Sequence, residues 1–278
     1  MKRLVYIAIV LILSVVSCNR TDKILEFSTD TAMFKEEIPY AEDKQGQIKI
    51  DWSFEYPSEG TPKEVLESLQ KSLIKEILID SSMFQLEADS VVPDDFQQAV
   101  EKRVGLLVNA YKSEVSEIYK DCEDQPSEYM INWDSSCQGK FGESHASVIS
   151  YYIESSAYSG GAHGIYGTVG SLFSLKDGSH ITQDQYFIRG YEEKLTSLLI
   201  KYLRNCLGES PISDNGDELG EDDDEIYPKP YPNDNIYFTQ NGVVFTYQPY
   251  EIASYAEGQM TAEIPWAEIE PLIRSEYK

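Results

Sequence analysis

Ile48, Ile50, Trp52, Phe54 and Tyr56 alternate with polar residues, the period of a strand that buries one face. Thr61-Pro62-Lys63-Glu64 follows, a threonine and a glutamate at capping-box spacing around a proline suited to the first helical position. Val65, Leu69, Leu73 and Ile77 then recur four apart and predict a helix with one apolar stripe. A second helix is predicted to start between Pro93 and Phe96, with the stripe Val100, Val104, Leu107, Tyr111, Val115 and Ile118. A strand followed by two amphipathic helices points to an α+β layout.

Residues 129–133 and 147–158 are rich in Ile, Val and Tyr and read as extended chain. Ser159-Gly160-Gly161-Ala162-His163-Gly164 interrupts them, and a strand is expected over 166–175 before the turn Lys176-Asp177-Gly178. Leu195, Leu198, Leu199, Tyr202 and Cys206 mark a third helix, with Gly208 placed as its C-cap. Ile236-Tyr237-Phe238 and Val243-Val244-Phe245 flank Asn241-Gly242, a hairpin signature. A short helix is expected over 266–273. Strands and helices mix without regular βαβ alternation, so the fold class expected is α+β, with mixed, largely antiparallel sheets covered by helices.

The N-terminus adds a location. Lys2 and Arg3 precede an apolar run from Leu4 to Leu13, the head and body of a secretory signal. That run falls short of the ~20 apolar residues a membrane-spanning helix needs. Leu13-Ser14-Val15-Val16-Ser17-Cys18 resembles a bacterial lipobox, which implies cleavage after residue 17 and lipidation of Cys18. Residues 18–45 then read as a polar tether. Asn19, in place of an aspartate after the lipid-bearing cysteine, favours the outer membrane.

The 278 residues carry 23 basic and 48 acidic side chains, a net charge of −25. Losing Lys2 and Arg3 would leave −27 on the mature chain. Such a surface repels nucleic-acid phosphates and favours basic partners. Cys122 and Cys137 flank a short polar stretch and form the natural disulfide pair in an oxidising envelope. No CxxC, HExxH or phosphate-cradling glycine loop is present, so neither a cofactor nor a metal is expected. Eight carboxylates lie between Asp214 and Glu225 without calcium-loop spacing, and read as a solvated acidic loop.

Of the three histidines, His163 is the catalytic candidate, imagined with Ser159 and Asp177; no G-x-S-x-G elbow supports that triad. The alternative of an envelope hydrolase or deacetylase therefore rests on His163 and nearby carboxylates. Twenty tyrosines offer rings for stacking on sugars or anchoring a protein. The ligand-binding candidates are Tyr158, Gly160, Gly161, His163, Tyr166, Tyr247, Tyr250 and Tyr255.

Tyr158-Ser159-Gly160-Gly161-Ala162-His163, Leu172-Phe173-Ser174-Leu175-Lys176-Asp177-Gly178 and Gln183-Asp184-Gln185-Tyr186-Phe187 resemble one envelope family. So does Phe245-Thr246-Tyr247-Gln248-Pro249-Tyr250-Glu251-Ile252-Ala253-Ser254-Tyr255-Ala256-Glu257-Gly258. The family is the pair of domains of unknown function found outside the membrane in the anti-sigma factor RsiV, and outside the catalytic domain of the peptidoglycan deacetylase PdaC. The resemblance implies two consecutive α+β units, 46–165 and 166–278. It also implies a non-catalytic module whose partner is a basic, lysozyme-like protein, with a cell-wall glycan such as peptidoglycan as the other ligand. Gly164 replaces a frequent proline and Ser174 a common aspartate. A lipid anchor takes the place of the membrane-spanning helix, so signalling through a sigma factor is not implied.

Overall fold

In the computed structural model, which describes residues 23–79, 93, 95–205 and 228–278, the alternating segment forms a strand, β2 (Gln47–Thr61). Ile48, Ile50, Trp52 and Phe54 are buried while Lys49 and Asp51 are exposed. Its antiparallel partner β1 (Glu26–Pro39) is a finding against expectation, because these residues read as tether in the sequence. Ala32 is the one buried side chain of β1, and charged, hydroxyl and half-buried apolar residues share the rest, so no clean alternation marks it. The lipobox, Cys18, Cys206, Gly208 and the 214–225 acidic run lie outside the described residues.

The chain divides into two units, one of residues 1–140, 156–164 and 175–179, the other of 141–155, 165–174 and 180–278. In the first, the strand order is β1-β2-β3, with β3 (Asn132–His145) parallel to β2. α1 (Lys63–Leu73) packs on β2, and α2 (Phe96–Asp121) packs on β1. Val65, Leu69 and Leu73 are buried as the stripe predicts, and a π-helical turn, Ile74–Ile79, extends α1. Thr61 does not cap the helix: it ends β2, and Pro62 occupies the cap position without a side-chain bond. Asp95 caps α2, accepting from the Gln98 amide at 2.9 Å.

Val100, Val104, Leu107, Tyr111 and Val115 form the buried stripe of α2. Tyr111 meets Trp133 edge-on at 5.5 Å and donates to the Ile131 carbonyl at 3.1 Å. Each such fully buried large side chain contributes about 1.5–3 kcal/mol. The extended chain expected at 129–131 is instead a short helix, α3 (Glu128–Ile131).

The second unit holds β4 (Val148–Tyr158, through residue 155), β5 (Ile165–Ser174) and β6 (His180–Ile181), the last two antiparallel. A capping box between Thr182 and Gln185 starts α4 (Gln183–Tyr186). α5 (Glu192–Tyr202) ends four residues before Cys206, because the chain turns extended at β7 (Leu203–Asn205) to pair with β10. The predicted hairpin is present as β8 (Ile236–Phe238) and β9 (Gly242–Tyr247), in a sheet ordered β7-β10-β9-β8 with β10 (Met260–Pro265). α6 (Trp266–Ile269) and a 3-10 turn, Glu270–Leu272, stand where a short helix is expected, and a second 3-10 turn, Ser275–Tyr277, follows. Leu195, Leu199, Phe187, Phe245, Ile264 and Ile269 form the heart of this unit's core.

Candidate functional site

The sequence candidates fall into two places. In the first unit, β4 ends at Tyr158 and the chain turns through Gly160 (φ 100°) and Gly161 (φ 88°), conformations open chiefly to glycine. The Tyr158 hydroxyl lies 2.9 Å from the Gly161 carbonyl and 3.3 Å from that of Tyr129, which fixes the corner. His163 is exposed, with Nδ1 2.9 Å from the Gly164 carbonyl. Asp177 accepts from the Ser179 amide and hydroxyl at 3.0 and 2.7 Å, holding its own turn.

The second unit gathers the other tyrosines differently. Tyr166 at the start of β5 meets Tyr255 edge-on at 6.0 Å, and Tyr250 lies 5.5 Å from Tyr255. Tyr250 is 55% exposed and Tyr166 37%, so two rings of a three-ring cluster face solvent. Tyr250 sits in a turn at φ 71°, a strained position for a residue with a side chain. Gly258, also left-handed at φ 75°, leaves room for Tyr166: a Cβ there would lie 3.0 Å from its hydroxyl.

Tyr247 departs from the expectation that it contacts ligand. It is fully buried, and its hydroxyl donates to the Tyr231 carbonyl at 2.7 Å. Burial, then the Glu251 charge, pushes its phenol well above the usual range. The ring is a structural support for the neighbouring loop.

Residues the sequence did not single out hold that loop in place. Glu251 accepts from the Gln248 amide at 2.8 Å, the Tyr231 hydroxyl at 3.0 Å and Asn233 Nδ2 at 3.1 Å. Asn235 donates through Nδ2 to the Thr168 and Thr246 carbonyls at 2.9 and 3.0 Å, and its Oδ1 accepts from the Gly170 amide at 2.6 Å. One amide thus joins β5 to β9. Asn233-Asp234-Asn235 is a turn-forming triplet, the one sequence signal that could have drawn attention here.

Cys122 and Cys137 do not form the expected disulfide; both thiols are free. Cys122 lies at the C-cap of α2, whereas Cys137 sits inside β3 opposite Trp52, fixed there by strand register. Burial pushes the Cys137 thiol up to about 12 despite the nearby Arg103 guanidinium, leaving little of the nucleophilic thiolate at neutral pH. Among the described residues, no group of three His, Cys, Asp or Glu side chains could hold a metal ion. No helix among them is long and apolar enough to cross a membrane.

Comparison with known proteins places this geometry. No curated protein matches the chain. A member of the DUF3298 family from Bacteroides fragilis NCTC 9343 aligns at TM-score 0.71 and 20% identity, over 90% of this chain and 94% of its own. A DUF3298 family protein from Pseudomonas aeruginosa PAO1 aligns at TM-score 0.53 and 16% identity, over 91% of this chain and 96% of its own. Residues 181–267 match the family model described as "Protein of unknown function (DUF3298)". That segment runs from β6 into α6 and includes Tyr231, Tyr250, Glu251 and Tyr255. Part of the second unit, residues 181–267, thus resembles the DUF3298 model, and the chain shares its fold with solved members of that family.

Proposed function

We propose that this chain is a lipid-anchored, non-catalytic binding module of the cell envelope that captures a basic, lysozyme-like protein through Tyr166, Tyr250 and Tyr255. The observation that carries the reading is the solvent-facing three-ring cluster, with Tyr250 held out at 55% exposure by a strained turn. Glu251 braces the loop that bears Tyr250, and the exposed Glu257 follows Tyr255 by two positions. A lysine or arginine over an exposed tyrosine face gains about 0.5–1 kcal/mol, and about 2 kcal/mol when desolvated. The net charge of −25 supplies long-range attraction for such a partner. Cys18, behind an apolar run with basic residues at its head, would hold the module on the outer membrane.

The test is titration of protein from residue 21 onward with lysozyme and, separately, with peptidoglycan fragments, at low and high salt. Salt-weakened lysozyme binding that is weakened further, by about fivefold or more, in Tyr250→Ser supports the reading. Binding of fragments alone replaces the protein partner with a glycan, and no binding to either removes both. Metabolic labelling with a fatty-acid analogue tests the anchor: label lost in Cys18→Ala supports it, and an unlabelled parent contradicts it.

A further inference from the structure

His145 ends β3 at a hairpin whose next residue, Ala146, has φ 50°. Within the second unit its imidazole stacks on Trp266, with centroids 4.2 Å apart and planes 12° from parallel. Nδ1 is buried without a hydrogen-bond partner, so the ring's bond to the Tyr277 backbone belongs to Nε2. The imidazole thereby touches both ends of the last segment of the chain. That segment is clipped down further along: the Arg274 amide donates to the Tyr186 carbonyl at 3.0 Å, and its guanidinium to those of Phe187 and Asp184 at 2.7 and 2.6 Å. Ile269, Leu272 and Ile273 lie in the core.

We propose that His145 is an acid-operated release for this C-terminal segment, residues 266–277. Neutral His145 keeps its one N–H on the Tyr277 carbonyl and leaves Nδ1 bare against apolar surroundings. Protonation puts a second N–H and a positive charge at a buried position with no acceptor, a cost that undocking the segment relieves.

The charged residues on the elements around the ring are Glu143 on the hairpin, Glu268 on α6, and Glu270, Arg274, Glu276 and Lys278 beyond it. Glu268 is engaged by Lys201 and Tyr202. Glu270 favours the protonated ring, as does the Tyr277 carbonyl. Burial outweighs both and holds the imidazole below its ordinary 6.5. A depressed histidine leaves the folded unit at full stability above 6.5, and stability falls as pH drops toward the lowered value.

The experiment is an NMR pH titration of the histidines in the full chain, with hydrogen exchange at the Ile273 and Arg274 amides corrected for intrinsic rates. His145 is expected to titrate below 6.5. Protection of the two amides should fall about tenfold per pH unit between the ordinary pKa and the lowered one. In His145→Phe, which keeps the stack, or His145→Gln, which keeps a donor for Tyr277, that loss should vanish. Titration at or above the ordinary value, pH-independent protection in the parent, or an equal loss in a folded variant would overturn the proposal; the parent's two measurements decide it even where neither variant folds.

Discussion

Tyr250 meets two opposing demands. Its left-handed backbone costs about 1–2 kcal/mol for a residue with a Cβ, yet the side chain is the most exposed of the cluster. Tyr250→Gly relieves that strain and loosens the unfolded chain by about 0.5–1 kcal/mol. Its expected stability is therefore unchanged to about 1 kcal/mol higher, read by urea unfolding. Binding of a basic partner should weaken by about fivefold or more with loss of the ring. A variant destabilised as well as weakened would mean the ring packs inward and is no contact. Asn235 is the contrasting case, since its work is internal. Asn235→Leu leaves the Gly170 amide without its side-chain acceptor, while the Thr168 and Thr246 carbonyls keep Gln248 and Asn233 as donors. The expected loss is about 1–3 kcal/mol, measured by the same unfolding curve.

At the scale of elements, β1 is the strand the sequence concealed. Ala32, Phe34 and Ile38 share one face but Glu36 interrupts them, and Phe27 has the opposite parity, so the period-two signal is weak. What defines the strand is its partner: Phe34 lies opposite Trp52 and Ile38 opposite Ile48 along the whole of β2. A chain starting at residue 46 should lose cooperative thermal unfolding of the first unit, whereas one starting at residue 23 should unfold like the parent. β2, α2 and the β8–β9 hairpin were legible because their periodicity and turn chemistry are local. The premature end of α5 was not, because pairing of Leu203 with Ala262 of β10 overrides helical propensity.

α5 and α6 carry a pH prediction. The Tyr202 hydroxyl and then Lys201 hold the Glu268 carboxyl below its ordinary 4.5. A depressed carboxylate contributes stability above 4.5 that is lost as pH falls through its lower folded value. Glu268→Gln should flatten the acid limb of a stability–pH curve below 4.5 and leave the fall that His145 causes below 6.5 in place.

For the molecule as a whole, the candidate site was legible only in part. Tyr166, Tyr250 and Tyr255 were singled out from the sequence, and the structure brings them together. Tyr247, from the same motif, turns inward because its hydroxyl finds the Tyr231 carbonyl. Sequence spacing cannot tell a ring that closes a loop from one left outside it. Glu251 and Asn235 escaped notice for a related reason: their partners lie in other strands. The net charge of −25 makes recognition by this face a matter of ionic strength, since exposed charges are screened beyond ~10 Å at 0.1 M salt. The most direct measurement is calorimetric titration of lysozyme into the chain from residue 21 and into its Tyr166→Ser/Tyr250→Ser/Tyr255→Ser variant, at two salt concentrations. Saturable binding to the parent that weakens with salt is expected, and none to a folded variant. Equal binding to both proteins, or no heat with the parent at low salt, would contradict the proposed capture.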